Sequence, residues 1–210
     1  MSRRLARIPP KPRVALVGDG QTEQIYFTNI KDTDRPSDLD LFPDLPVKPG
    51  SYRSVLKKAL QLTEDYEYER VYALIDMDKV ISDNRQAEYE KDKRAAEAKG
   101  IIVLENNPCF EFWLLLHFLK TSKSFTACND VITELKKPSR IPGYEKSQKF
   151  LVAAKLYTQY KELIESNAIP AAKLLEKNRP SENKYFPRSE IYRFFEWYLN
   201  AERITMLKFA

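Results

Sequence analysis

The sequence predicts an α/β fold, a parallel β-sheet flanked by helices with a helical C-terminal half packed against it. Two observations carry this. Between Val14 and Leu104, short apolar runs alternate with helix-like segments in the order strand, helix, strand, helix, strand, a rhythm that belongs to a parallel sheet with helices on its faces. After Leu104 strand-type runs mostly stop and helical patterns continue to the end. With 210 residues, 43% of them hydrophobic, the chain can build one sizeable core. We divide it into a basic flexible tail (1–12), an α/β core (13–120) and a helical part of the same domain (121–210).

The tail carries three prolines within four residues, Pro9, Pro10 and Pro12, which forbid a helix. Val14-Ala15-Leu16-Val17 is apolar on both faces and reads as a buried strand. Gly18-Asp19-Gly20 turns it, and Thr22 or the turn caps a helix over about Glu23 to Ile30. Asp32 to Asp44 is polar and punctuated by proline, so it is expected to be a loop, with Leu45-Pro46-Val47 as an edge strand. Ser51 caps a helix to about Thr63, with Val55, Ala59 and Leu62 as its apolar stripe. Arg70 to Asp76 is the next strand. Arg85 to Lys99 is charged almost all round, a surface helix ended by Gly100. Ile101 to Leu104 is a further buried strand. Asn107 is expected to cap a helix with Pro108 at its first position, running to about Leu119. Helices then follow over about Asp130 to Lys136, Gln148 to Ser166, Pro170 to Glu176 and Ser189 to Ala201.

Composition excludes several classes. No run approaches the roughly 20 apolar residues of a membrane span; the densest, Phe110 to Leu119, is interrupted by Glu111 and His117. The N-terminus is basic without an apolar core, so it does not read as a secretory signal. Two cysteines, Cys109 and Cys128, suggest reduced thiols in a cytoplasmic protein rather than a disulfide framework, and with a single His a zinc site is not expected. A net charge of +5 and a pI near 9.0 fit a polyanionic partner, although much of the excess lies in the tail.

The residues that could carry chemistry fall at strand ends. Gly18-Asp19-Gly20-Gln21-Thr22-Glu23 follows the first strand, where open sheets bind ligands. It lacks the Lys of a phosphate-binding loop and the third Gly of a dinucleotide fingerprint, and offers acids instead; carboxylates there are also favoured by the helix dipole alone. Asp76-Met77-Asp78 ends the Arg70 strand. In extended backbone residues two apart face one side, so both carboxylates could share a cavity, and two like charges together call for a cation such as Mg²⁺. The plain alternative is that Asp78 turns the chain and Asp76 caps the next segment. Glu111 opens an all-apolar helix near the same sheet edge and must be paired, protonated or metal-bound. His117, six positions on, falls about 120° round that helix and reads more readily as a core residue than as a catalyst. Lys146, in Tyr144-Glu145-Lys146, could face developing negative charge.

Together these elements, G-D-G-x-T-E-x-x-Y-F, an apolar strand ending in D-x-D, N-P-C-F-E-F-W-L-L-L-H-F and Y-x-K, resemble the RloB-like (AbiLii-type) family of the Toprim-like group. The resemblance spans about Val14 to Lys146, with a looser fit from Ser181 through Tyr198. It implies a Toprim-like sheet, an Mg²⁺- or Mn²⁺-dependent site acting on phosphodiester bonds of DNA or RNA, and a setting in bacterial anti-phage defence (abortive infection), often with an ATPase partner. By position Asp76 and Asp78 match the family's metal-binding pair. Asp19 stands where the family usually has Glu, expected as general acid/base and additional metal ligand. Asp is one methylene shorter, and Glu23, a helical turn on, could substitute. Glu111, His117 and Lys146 match further family positions. The expected function is therefore a metal-dependent nuclease. The alternatives are a catalytically impaired binding or regulatory subunit and, from Asp76-Met77-Asp78-Lys79-Val80, a D-x-D phosphatase using Asp76 as nucleophile.

Overall fold

The computed structural model of the chain describes residues 11–64, 68–180 and 182–209, with side chains as far as 201. Most of the predicted tail lies outside the described residues. One five-stranded sheet organises the fold: β1 (Arg13–Val17), β2 (Asp40–Asp44), β3 (Arg70–Asp76), β4 (Ile102–Asn107) and β5 (Arg188–Ser189), in the order β2-β1-β3-β4-β5. The first four strands run parallel and β5 is antiparallel to β4. Ten α-helices flank it among the described residues: α1 (Gln21–Asp34), α2 (Tyr52–Glu64), α3 (Met77–Ser82), α4 (Gln86–Glu97), α5 (Glu111–Leu116), α6 (Cys128–Leu135), α7 (Gln148–Ala154), α8 (Leu156–Tyr160), α9 (Ile169–Lys177) and α10 (Ile191–Phe209).

Strand alternation sends Val14, Leu16, Tyr72, Leu74 and Leu104 to one face, and Ala15, Val17, Val71, Ala73, Ile75 and Val103 to the other. The second face is covered by Val55, Ala59 and Leu62 of α2, the predicted stripe, and by α3 and α4. The first face carries the C-terminal helices and an aromatic cluster in which Trp113 stacks on Phe195 at 5.3 Å between centroids. Both faces are buried, which is why these strands are apolar without alternating polarity. Gly100, at φ +87°, ends α4 as expected: its N–H bonds to Glu97 O and that of Ile101 to Ala96 O.

Several expectations need correction. The segment from Asp32 to Asp44 is not a loop: α1 continues to Asp34, and β2 lies at Asp40–Asp44 rather than Leu45–Val47. Leu39 and Leu41 are buried there, and Pro43 is tolerated because β2 is an edge strand. Asn107 caps no helix; it is the last residue of β4, paired with Arg188, and Asn107-Pro108 is a cis peptide. Helix α5 therefore starts at Glu111 and ends at Leu116. The predicted helix from Gln148 to Ser166 is broken at Lys155, at φ +43°, and followed by a π-helical turn at Ile164–Ala168.

Strand β4 runs three residues beyond its apolar part because its polar residues find partners. Glu105 Oε1 accepts from Lys93 Nζ (2.8 Å) and Tyr89 Oη (2.9 Å), and Oε2 accepts from both Nε and Nη2 of Arg188. Burial acts against its charge, but Arg188 and Lys93 outweigh it and hold the carboxyl down at about 2. Asn107 Nδ2 donates to the carbonyls of Lys184 and Phe186. The helical half thus supplies the closing strand of the sheet.

Candidate functional site

The carboxyl ends of β1 and β3 open into a cavity of about 410 Å³ lined by Asp19, Glu23, Asp76, Asp78, Lys79 and Lys146, among others. Parallel register puts both strand ends on one edge of the sheet.

Asp76 stands immediately before α3, the position of a capping residue, yet its side chain makes no capping bond. Those amides are already satisfied: the N–H groups of Met77 and Asp78 both donate to Pro108 O at 3.0 Å. Asp76 Oδ1 is consequently buried without a hydrogen-bond partner. Burial, then the carboxylates of Glu23 and Glu111, push its pKa well above the usual range, with Lys146 opposing. Asp78 is not extended beyond the strand as the D-x-D reading required. It lies in the first turn of α3, where its Oδ1 accepts the Lys79 N–H at 2.7 Å, and it lines the cavity beside Asp76.

The glycines of the first turn serve Glu23. A Cβ on Gly18 would sit 2.8 Å from Glu23 Cβ, and one on Gly20 would sit 3.2 Å from Glu23 Oε2. The G-D-G sequence is therefore a seat that lets a buried glutamate reach the cavity. Burial first, and Glu111 second, push the Glu23 carboxyl up to about 8. Asp19 is engaged differently: its Oδ1 accepts the N–H groups of Gly50 (2.5 Å) and Ser51 (2.9 Å), tying the β1 turn to the start of α2. Burial raises its pKa, and these two bonds oppose the rise.

Glu111 lies behind the cavity, with no exposed surface. Its Oε1 accepts from Tyr144 Oη (2.9 Å) and Thr22 Oγ1 (3.3 Å) and pairs with Lys146 Nζ at 3.0 Å. The Y-x-K element is thereby explained: Tyr144 and Lys146 both reach Glu111, while Glu145 between them is exposed. Burial works against the Lys146 charge, but Glu111 and then Asp76 and Glu23 outweigh it and keep the ammonium above its ordinary value.

His117 is not brought to this site and does not line the cavity. Its Nδ1 donates to Trp113 O at 3.0 Å, since a carbonyl only accepts, and its ring meets Trp113 edge-on at 5.3 Å. Burial pushes it down to about 4, so it is a neutral core residue. The expectation of reduced thiols is also overturned. Cys109 and Cys128 form a disulfide, their Cα atoms 5.6 Å apart, because the start of α6 folds back onto the approach to α5. Cys128 Sγ lies 3.0 Å from Glu111 Oε2; sulfurs bonded to one another offer no thiolate to a metal.

Three contributors were not singled out by sequence. Lys79 and Arg85 line the cavity; Lys79 follows the D-x-D directly, whereas nothing local marks Arg85. Asn106 pairs in register with Asp76, so the two side chains stand on the same face, and its Nδ2 is likewise buried without a partner. The carboxylates that line the cavity, Asp19, Glu23, Asp76 and Asp78, offer hard oxygen, which fits Mg²⁺ or Mn²⁺ and does not fit soft-ligand metals. Among the described residues no helix is long and apolar enough to cross a membrane.

A family model described as RloB-like protein matches residues 14–196. No curated protein and no solved structure matches the chain.

Proposed function

Because the chain belongs to the RloB-like family, we propose that its acidic cavity binds Mg²⁺ or Mn²⁺ and that the protein is a nuclease of Toprim type, hydrolysing phosphodiester bonds of DNA or RNA. The observation that carries this reading is Asp76: a buried carboxylate oxygen with no partner, relieved of capping by Pro108, beside other carboxylates. Carboxylates crowded in one place are costly unless a cation or protons compensate them.

Asp76 and Asp78 would hold the metal. The bound ion would supply Lewis acidity toward a phosphoryl oxygen and a water of lowered pKa. Glu23 carries the proton-transfer role. It is seated at the cavity by Gly18 and Gly20, and burial beside Glu111 favours its protonated form, so it can take up a proton at the cavity wall and pass it on. Asp19, bonded to Gly50 and Ser51, instead fixes the wall of the cavity. The Lys146 ammonium, anchored by Glu111, faces charge developing on the phosphoryl group. A role in anti-phage defence with an ATPase partner follows from the family resemblance and belongs to the same proposal.

The test is metal-dependent cleavage of end-labelled DNA and RNA panels, with and without the ATPase partner. Wild type should cut in Mg²⁺ or Mn²⁺ and Asp76→Ala should not; identical behaviour of the two across every panel sinks the enzyme reading. The engagement of Asp19 by Gly50 and Ser51 favours one second reading, a binding subunit with an impaired site. It expects nucleic-acid or partner binding that persists in Asp19→Ala and Asp76→Ala without cleavage by the wild type.

A further inference from the structure

A second cavity, of about 880 Å³, lies at the opposite edge of the sheet, where β1 and β2 begin. Cations from four places in the chain line it: Lys11 and Arg13 at the start of β1, Lys31 in α1, Arg35 just after α1, and Lys155 between α7 and α8. Two carboxylates, Asp32 and Asp40, stand among them, and Asp40 is paired with Lys31 at 2.8 Å. Cations therefore outnumber acids by five to two in that lining. The Arg13 guanidinium lies 4.7 Å from the centroid of Phe42 and 4.8 Å from that of Tyr68, which holds its plane in place.

The backbone shows how two of these cations are placed. Among the described residues, three non-glycine residues have positive φ: Asn84, Arg35 at +46° and Lys155 at +43°. Asn adopts this conformation readily, whereas Arg and Lys do so at a cost that Gly would avoid. Both strained cations line this one cavity. Each ends a helix, Arg35 as the C-cap of α1 and Lys155 as the C-cap of α7, in the left-handed conformation that usually falls to Gly, so a long cation stands at both helix ends that border the cavity. Lys31 and Arg35 lie at the C-terminal end of α1 and Lys155 at that of α7, where the helix dipole alone favours a cation; Lys11 and Arg13 have no such explanation.

An adjoining cavity of about 370 Å³ shares Arg35, Pro36 and Leu39 with the first and adds Trp197 together with the carboxylates Asp34, Asp38 and Glu69. A ligand with a phosphate chain and an attached ring system would fit this pairing of a basic cavity with a more apolar neighbour. The volumes suit a small molecule.

We propose that this cavity is a binding site for a nucleoside polyphosphate, its phosphates held by Arg13, Lys31, Arg35 and Lys155. Helix α1 starts at the acidic cavity and ends here, spanning about 21 Å at about 1.5 Å per residue over its 14 residues, so the ligand would act at the far end of the helix that seats Glu23. This proposal does not depend on the nuclease reading.

The test is calorimetric titration with ATP and with inorganic tripolyphosphate, in EDTA so that no divalent ion carries phosphate to the acidic cavity. Arg35→Gly and Lys155→Gly remove the cations while relieving positive φ, so a combined variant should unfold at the same or a higher temperature than wild type. Wild type and Asp76→Asn should bind ATP equally. The combined variant should bind about tenfold or more weakly, and tripolyphosphate should bind less tightly than ATP. The proposal is overturned if wild type binds neither, if the folded combined variant binds ATP as wild type does, or if tripolyphosphate binds as tightly as ATP. Binding only of a single-stranded oligonucleotide would also overturn it, identifying a nucleic-acid surface instead.

Discussion

The ammonium of Lys146 lies 3.0 Å from Oε1 of Glu111, a carboxylate with no exposed surface, and Tyr144 Oη reaches the same oxygen from 2.9 Å. Lys146 therefore reaches the cavity on a buried anchor. Glu111→Gln keeps the shape and an acceptor oxygen but removes the charge that holds the ammonium. We expect it to fold and to cut about 100-fold more slowly. Lys146→Ala should lose a similar amount, and the double variant little more than either alone, since one removes what the other positions. Fully additive losses in single-turnover cleavage would show that Glu111 acts apart from Lys146.

Asp76 gives a prediction that needs no activity. Without metal its charge is disfavoured first by burial and then by Glu23 and Glu111, so Asp76→Asn should raise the unfolding free energy of the metal-free protein by about 1 kcal/mol. The wild type should gain about 2.7 kcal/mol from Mn²⁺ at 100 times its dissociation constant, and the variant nothing. Thermal unfolding with and without Mn²⁺ measures both. An undiminished Mn²⁺ effect in Asp76→Asn would remove Asp76 from the metal site.

Gly18 and Gly20 should respond unequally to an added methyl group. At Gly18 the Cβ would meet Glu23 Cβ at 2.8 Å, an atom fixed to the helix backbone, whereas at Gly20 it would meet only the far end of the side chain at 3.2 Å. Gly18→Ala should therefore cost about 1–3 kcal/mol in denaturant unfolding, and Gly20→Ala less. Equal costs would contradict this account of the turn.

His117 sets a pH dependence. Its folded pKa is about 4, against about 6.5 for an unperturbed imidazole. Above about pH 6.5 both states are neutral and the residue contributes no pH dependence. As pH falls from about 6.5 to 4, only the unfolded chain takes up the proton, so stability falls. Below about 4 the folded state protonates too, and the loss levels off at about 3 kcal/mol. His117→Phe should remove this component, seen as the difference between the two stability curves, and should cut nucleic acid as wild type does. Loss of cleavage in a normally folded variant would return His117 to the site.

The sequence by itself determined the parallel strands β1, β3 and the apolar part of β4, because burial on both faces leaves an unmistakable apolar run. It also placed Asp19, Glu23, Asp76 and Asp78 at one sheet edge, which follows from strand direction alone. Lys146 was legible only as a candidate. Tertiary structure decided everything that depends on a distant partner. Strand β2 is marked by little more than Leu39 and Leu41 in a polar stretch, and β5 by two residues whose pairing with Asn106 and Asn107 no local pattern shows. Cys109 and Cys128 are 19 residues apart, and only the fold brings them together. The same holds inside the site. Whether Asp76 caps a helix or stays available was settled by the carbonyl of Pro108, some 30 residues away. Whether Glu111 faces the cavity or supports it was settled by Tyr144 and Lys146. Local sequence fixes which groups a strand end presents, but a polar group's role is set by which other groups have already taken its hydrogen bonds.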